Sequence, residues 1–213
     1  MFIDIHTHKT YNTANVAFIR SFTPDQYNYS VARCSVGVHP WFPDNESINM
    51  LESLLETQSN IVAIGEIGID KTKPEIELQE KIFVTQLDIA SQYGLPVIIH
   101  CVHCFDMLLR IRKSYPNLQW IIHGFSGKKE LAFQLLDKGI NLSFGQNLVT
   151  NKEKFQNYFP SLPSGKIFLE TDTSNLDISQ IYRQAAGMLN LSVSALEKII
   201  ESNYKKVFDG KLA

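Results

Sequence analysis

The amino-acid sequence predicts an α/β protein, a (β/α)8 barrel of the TIM type. Short apolar runs alternate with amphipathic helical patterns, as in a parallel sheet flanked by helices. The runs number eight, the count that closes such a sheet into a barrel. The 213 residues amount to one domain, taking roughly 150 residues per domain. They fall short of the ~250 residues usual for this architecture. The expectation is a single domain over residues 1–213, compact and somewhat irregular, with reduced helices between its first strands.

The first three strands are expected at Phe2–Ile5, Val16–Ile19 and Arg33–Val38. The gaps between them, roughly ten to fifteen residues each, are too short for ordinary helices and read as loops or single turns. A helix over Glu46–Thr57 follows Pro43-Asp44-Asn45, where Asp or Asn serves as cap. Strand four is expected at Ile61–Gly65. The next helix, Glu75–Tyr93, carries Ile76, Ile82, Phe83, Leu87 and Ala90 at near-helical spacing, and Gly94 stops it. Strand five at Val97–Ile99 leads to a helix over Cys104–Ser114. Strand six at Gln119–Ile122 leads to Lys128–Lys138, and strand seven at Ile140–Ser143 to Lys152–Tyr158. Strand eight at Lys166–Leu169 precedes two closing helices, Ile178–Leu189 and Ser192–Val207. Ser192 or Ser194 caps the last, with Glu197 in its first turns.

Lys plus Arg number 20 and Asp plus Glu 22, a net charge of -2. That balance excludes binding along nucleic acid by bulk charge alone, though not an enzyme that meets nucleic acid through metals in a cleft. With 44% hydrophobic and 20% charged residues, disorder and coiled coil are excluded as well. Cys34, Cys101 and Cys104 make an odd count without repeated spacing, which argues against a disulfide framework and for a reducing compartment. No apolar run approaches the roughly 18 residues of a bilayer span. The opening Met1-Phe2-Ile3-Asp4-Ile5-His6 lacks a basic n-region. A cytoplasmic, monomeric protein without a membrane partner is expected.

Barrels of this type place their chemistry at the C-terminal ends of the strands. His6 and His8 follow the first predicted strand, His39 the third, Glu66 the fourth, His100 the fifth and His123 the sixth; Glu170 and Asp172 follow the eighth. Five of the six histidines thus fall at strand ends. A lone histidine after a strand is usually a hydrogen-bonded loop residue, but that explanation would have to be repeated for every member of the set. His6 and His8, two apart, share a face. Four imidazoles and two carboxylates (His6, His8, Glu66, His100, His123, Asp172) suit two divalent ions, zinc, manganese or similar, sharing a bridging carboxylate.

Cys101-Val102-His103-Cys104 is too tight for a tetrahedral zinc site in one segment, and no fourth ligand lies nearby in sequence. Cys104 is expected to open a helix and pack, leaving His103 near the rim as a candidate substrate contact. His39 and Trp41 share a rim loop, where loop packing and substrate contact are both open readings. Lys128 and Lys129 read as solvated. There is no Ser-His-Asp order, Walker loop or dinucleotide fingerprint.

These residues also carry a family pattern. The chain resembles the TatD-type metal-dependent hydrolases, a branch of the amidohydrolase-like barrels. Asp4-Ile5-His6-Thr7-His8, Gly37-Val38-His39-Pro40 and Gly65-Glu66-Ile67-Gly68-Ile69-Asp70 follow its motifs in order. So do Leu95-Pro96-Val97-Ile98-Ile99-His100, His123-Gly124-Phe125-Ser126-Gly127 and Leu169-Glu170-Thr171-Asp172, with Asn203-Tyr204-Lys205-Lys206-Val207-Phe208 late in the chain. The resemblance implies a deoxyribonuclease-like phosphodiesterase with nucleic acid as substrate and two divalent ions, zinc, manganese or magnesium. It implies that His6, His8, Glu66 and Asp172 hold one ion and Glu66, His100 and His123 the other, with Glu66 bridging. Asp172 and Glu66 are then the catalytic carboxylates, Asp172 taking the proton of the attacking water. Glu170 orients a ligand, and His39 and His103 are the candidate substrate contacts.

Three departures touch the substrate end. Val102 stands where the family often has arginine, and Lys71-Thr72-Lys73 where it often has aromatic residues. Thr173-Ser174-Asn175-Leu176-Asp177 replaces a Pro-rich segment. An amide or ester hydrolase of the amidohydrolase type is the alternative. A binding module that has lost turnover would lack a ligand, and none is lacking.

Overall fold

The structure is a computed structural model and describes residues 1–12 and 14–208. Its strands are β1 (Phe2–Thr7), β2 (Val16–Phe22), β3 (Cys34–Val36), β4 (Ile61–Asp70), β5 (Val97–Val102), β6 (Trp120–Ile122), β7 (Ile140–Phe144) and β8 (Ile167–Leu169). They form one eight-stranded sheet in the order β1 to β8. The ladders described, from β2 through β6 and between β7 and β8, are parallel. This is the (β/α)8, TIM-type fold that the sequence predicts. The helices are α1 (Asn45–Thr57), α2 (Ile76–Tyr93), α3 (Phe105–Arg112), α4 (Lys129–Asp137), α5 (Asn147–Thr150), α6 (Lys152–Gln156), α7 (Ile178–Met188) and α8 (Val193–Val207). Among the described residues no α-helix lies between β1 and β3, only a 3-10 turn at Pro24–Gln26. No helix among them is long and apolar enough to cross a membrane.

The chain divides into two compact units. One is Arg20–Ile122; the other joins Met1–Ile19 to the chain from His123 onward.

In the unit Arg20–Ile122, β4 is buried at every position and pairs with β3 and β5. Strand β3 is shorter than expected, Cys34–Val36 against Arg33–Val38, and β2 runs on to Phe22; two further strand ends bear on the site. The strand expected to stop at Gly65 runs on to Asp70, and the one expected to stop at Ile99 runs on to Val102, in the register Gly68↔His100, Ile69↔Cys101 and Asp70↔Val102. Glu66 and His100 therefore lie within strands rather than after them. Glycine spacing reads as punctuation in the sequence, but Gly68 serves close approach. Its φ is +149°, and a Cβ there would stand 1.9 Å from the His100 carbonyl oxygen.

Helix α2 buries Ile82, Phe83, Leu87 and Ala90, the face its spacing predicts. It starts one residue late because Glu75 takes a left-handed conformation ahead of it. Its buried glutamines act as clamps. Gln86 accepts the Val38 N–H at 2.7 Å and donates to the Val38 carbonyl at 3.1 Å. Gln79 accepts the Asp70 N–H at 2.8 Å and donates to the carbonyls of Asp70 and Pro74. One helix thus fixes the backbone beside His39 and the end of β4, satisfying buried amides that have left the ladder.

In the other unit, β1 and β8 meet at their C-terminal ends through a parallel bridge between Thr7 and Asp172. Asp4 laces the two segments together below it. It accepts the Thr171 N–H at 3.0 Å, the Thr171 hydroxyl at 2.6 Å and the Tyr11 hydroxyl at 2.7 Å. From α7, the buried Tyr182 hydroxyl accepts the Ile3 N–H and donates to the Ile3 carbonyl. Asn203 of α8 holds the carbonyls of Ser164 and Ile167. The helix expected over Lys152–Tyr158 is α6, which starts at Lys152 and ends early at Gln156, and a further short helix, α5, precedes it. They break at Asn151, which leaves helical geometry (φ -126°, ψ 40°) and whose side chain turns back to Asn147 at 2.9 Å.

Candidate metal centre

The bridge between Thr7 and Asp172 builds the first donor cluster. The Asp172 N–H donates to the His6 carbonyl at 2.9 Å and the His8 N–H to the Asp172 carbonyl at 3.3 Å. Asp172 adopts φ 51°, a left-handed conformation that few non-glycine residues take. That turn aims its carboxylate back at β1. His6 Nε2 and His8 Nε2 each lie 3.6 Å from Asp172 Oδ1. This is too long for a hydrogen bond. It matches the separation, about 3.4 Å, of two ligands each ~2.1 Å from one tetrahedral ion. His6 is fully buried while His8 and Asp172 reach solvent, so the cluster has a closed floor and an open side. Two imidazole nitrogens and a carboxylate oxygen are a donor set for zinc or manganese.

His123 belongs to the same unit. Its ring lies 4.4 Å from that of His6, centroid to centroid. Its Nδ1 faces Glu170 Oε1 at 3.5 Å, and the same oxygen accepts the Gly124 N–H at 2.6 Å. Glu170 is fully buried and stands behind His123.

The second cluster lies in the unit Arg20–Ile122. Glu66 Oε1 is 2.7 Å from His100 Nδ1 and 3.1 Å from His39 Nε2. His100 Nε2 pairs with Asp70 Oδ2 at 3.0 Å. A carboxylate at one nitrogen of an imidazole sets the other up as a ligand, so Asp70 leaves Nδ1 for a metal. His39 is turned the opposite way. The Trp41 backbone N–H donates to its Nδ1 at 3.1 Å, which puts the ring proton on Nε2, facing Glu66. His39 is a donor to the carboxylate in this arrangement, not a ligand.

Asp70 is the member that sequence reasoning missed. It accepts the Trp41 indole N–H at 2.7 Å and the N–H and hydroxyl of Thr72. Burial acts to raise its pKa, but the hydrogen bonds from Thr72, Trp41 and His100 outweigh it and hold the carboxyl well below its usual range. The available signal was the two-residue spacing Glu66, Gly68, Asp70, which puts both carboxylates on one face of an uninterrupted strand. Asp4 goes the other way: burial pushes it up to about 6 although Thr171 and Tyr11 hydrogen-bond to it. His103 stands exposed at the turn after β5, with φ 55°. Trp41 is 47% exposed, and its ring carries Lys73 Nζ at 4.4 Å from the centroid.

Comparison with known proteins identifies the family and the fold. A family model for TatD-related DNases matches residues 7–209. The chain is similar to YjjV, an uncharacterized metal-dependent hydrolase of Escherichia coli K12. The two are 28% identical over 160 residues, covering 71% of this chain and 62% of that protein. It is also similar to the 3'-5' ssDNA/RNA exonuclease TatD of Pantoea ananatis, 25% identical over 199 residues, covering 82% and 76%. Matches to three curated relatives span only 59–62% of those proteins' length. Among solved structures, the YjjV crystal structure superposes with a TM-score of 0.85 at 22% identity over 98% of both chains. A TatD-family hydrolase from Entamoeba histolytica gives 0.77 at 18% identity, covering 99% of this chain and 98% of that one.

Proposed function

The chain belongs to the TatD-related DNase family, and from that premise we propose that it is a divalent-metal-dependent phosphodiesterase that hydrolyses nucleic acid, as a monomer in the cytoplasm. The observation that carries the reading is the cluster in which His6 and His8 each set a nitrogen 3.6 Å from one Asp172 oxygen. In this reading His6, His8, Glu66, His100, His123 and Asp172 are the ligands of two ions, zinc, manganese or magnesium. Such ions supply the Lewis acidity that makes water a nucleophile at neutral pH and neutralises charge on a phosphoryl group.

The chain's own groups do the rest. Asp172, partly open to solvent, takes the proton from the attacking water. Glu66 brings the second negative charge, and His39 steadies it by donating from Nε2. Asp70 and Glu170 keep His100 and His123 in orientation. His103 and the exposed face of Trp41 meet the substrate.

The test combines metal analysis with a substrate panel. Protein incubated with zinc, manganese or magnesium should retain about two ions per chain. His6→Ala with His8→Ala should lose one ion and most turnover while the helical spectrum persists. The panel offers single- and double-stranded DNA, RNA, a simple phosphodiester, and amides and esters. Cleavage of phosphodiesters supports the proposal. Turnover of amides or esters alone would reassign the substrate and leave the metal site standing; no bound metal under any condition would overturn both.

A further inference from the structure

The two cysteines of the segment Cys101-Val102-His103-Cys104 are not used by the chemistry above. Cys101 sits near the end of β5, and Cys104 is the residue at the N-cap of α3. Between them His103 adopts the left-handed conformation, φ 55°. That reverses the chain within two residues and turns the two side chains toward each other. The sulfurs lie 3.1 Å apart. Closing that gap to a bond length of about 2.05 Å needs a shift of only ~1 Å, within reach of side-chain rotation. The burial is asymmetric: Cys101 is half-buried and reaches solvent, Cys104 is buried. One sulfur meets a reagent and the other waits behind it.

We propose that Cys101 and Cys104 form a reversible dithiol–disulfide site oxidised by small disulfides of the glutathione class. The Cys101 thiolate attacks one sulfur of the external disulfide and expels the first thiolate, leaving a mixed disulfide on Cys101. The Cys104 sulfur then attacks Cys101 Sγ and expels the second. Two protein thiols are oxidised, one external disulfide is reduced to two thiols, and the two cysteine protons end on the departing thiolates. Reduced glutathione runs the exchange backwards. This is the transient, redox-responsive use of cysteine that suits a reducing compartment. The pair adjoins the candidate site. Cys101 follows His100 directly, and the Cys104 thiol donates at 2.9 Å to the carbonyl of Ile69, the residue before Asp70.

The test is chemical and independent of activity. Full-length protein is equilibrated in glutathione buffers from reduced to oxidised, quenched in acid, unfolded and alkylated, and its tryptic peptides are weighed. In oxidised buffer the peptide holding Cys101 and Cys104 should lose two hydrogens, resist alkylation at both positions and carry no glutathione; reduced buffer should restore it. Cys34 is the internal control. It is fully buried, which pushes its thiol up to about 12, and it should stay alkylatable throughout. Cys104→Ser should trap glutathione on Cys101. Cys101→Ser keeps Cys104 in place and should trap none. Two alkylatable cysteines in oxidised buffer, or stable adducts on the wild-type pair without ring closure, would overturn the proposal. Should Cys104→Ser fail to fold, the wild-type peptide mass decides alone.

Discussion

The group behind an imidazole, a carboxylate for His100 and His123 and a backbone N–H for His39, decides what that imidazole can do, and this is where substitutions speak most directly. Asp70→Asn keeps the shape but removes the charge and one acceptor: its single oxygen can serve either the Thr72 N–H or the Trp41 and His100 side, not both, so the hold on His100 Nε2 weakens. Loss of such a supporting carboxylate typically costs 10–100-fold in metal affinity or activity, and about that loss is expected in a manganese titration, with little change in melting temperature. An unchanged affinity would remove Asp70 from the site. Asp172→Asn is the sharper test, because asparagine tolerates the left-handed backbone that Asp172 adopts. The fold should survive while turnover falls by at least the ~10²-fold usually credited to a general base. Near-normal turnover in saturating metal would refute the assignment. The histidines could be singled out in the sequence because there are only six and five fall at or near predicted strand ends, and Glu66 by its place in the motif Gly65-Glu66-Ile67-Gly68-Ile69-Asp70. Asp70, Gln79 and Gln86 were not. Gln79 and Gln86 reach from a packed helix to backbone groups on other segments, which spacing along the chain does not reveal, and Asp70 shares the alternation of Glu66 but meets Trp41 and His100 only in the fold.

At the scale of elements, apolar runs and caps exposed the order of strands and helices, and errors gathered where one residue serves a tertiary purpose. Gly68 is the clearest case. The strand is expected to end three residues earlier, at Gly65, yet Gly68 sits within β4, which passes close to the His100 carbonyl. Gly68→Ala adds a methyl group 1.9 Å from that oxygen at φ +149°. It should destabilise by well over the ~1 kcal/mol that a compatible glycine replacement would gain, as thermal or urea unfolding would register. A variant as stable as wild type would mean that β4 and β5 are not so paired. Helix α7 offers a quieter test. Asp177 accepts the Ser179 N–H at 2.8 Å and Gln180 accepts the Asp177 N–H at 2.9 Å, a capping box whose Asp-x-x-Gln signature passed unremarked in the sequence. Asp177→Ala should cost about 1 kcal/mol at neutral pH. Ser179 holds the Asp177 carboxyl below its usual range, so the folded state favours the ionised form. That contribution is full above the unfolded value, about 3.9, and is lost as pH falls through the lower folded value. The stability gap between wild type and Asp177→Ala should therefore be constant near neutrality and narrow below about pH 4. A gap that widens in acid would contradict the sign.

For the molecule as a whole, a net charge of -2 gives a polyanion no long-range attraction. Under the proposed function, affinity for nucleic acid must come from metal ions and from a few local groups. Two lysines stand near the candidate site in the unit Arg20–Ile122. Lys71 is engaged by Asp106 at 3.0 Å, and Lys73 lies over the Trp41 ring. Trp41 is pinned by its hydrogen bond to Asp70 and is 47% exposed, a flat face on which one base can stack. Stacking of a base on an aromatic side chain is worth about 1–3 kcal/mol, so Trp41→Ala should raise KM for single-stranded DNA about tenfold and change kcat little. Salt then tests the same picture. Each phosphate neutralised by a lysine contributes about -0.7 to the slope of log affinity against log salt for a single strand. One or two lysines predict a slope of only about -0.7 to -1.4, against the far steeper dependence of a protein that binds through a basic surface. Val102→Arg, at the end of the strand paired with Asp70, should add about one phosphate contact, tighten binding and steepen the slope by about 0.7. Filter binding of a short single strand, measured with an uncleavable backbone over a salt series, reads all three quantities at once. A wild-type slope near -5, or a Trp41→Ala variant that binds as wild type does, would mean that nucleic acid is held on some other surface.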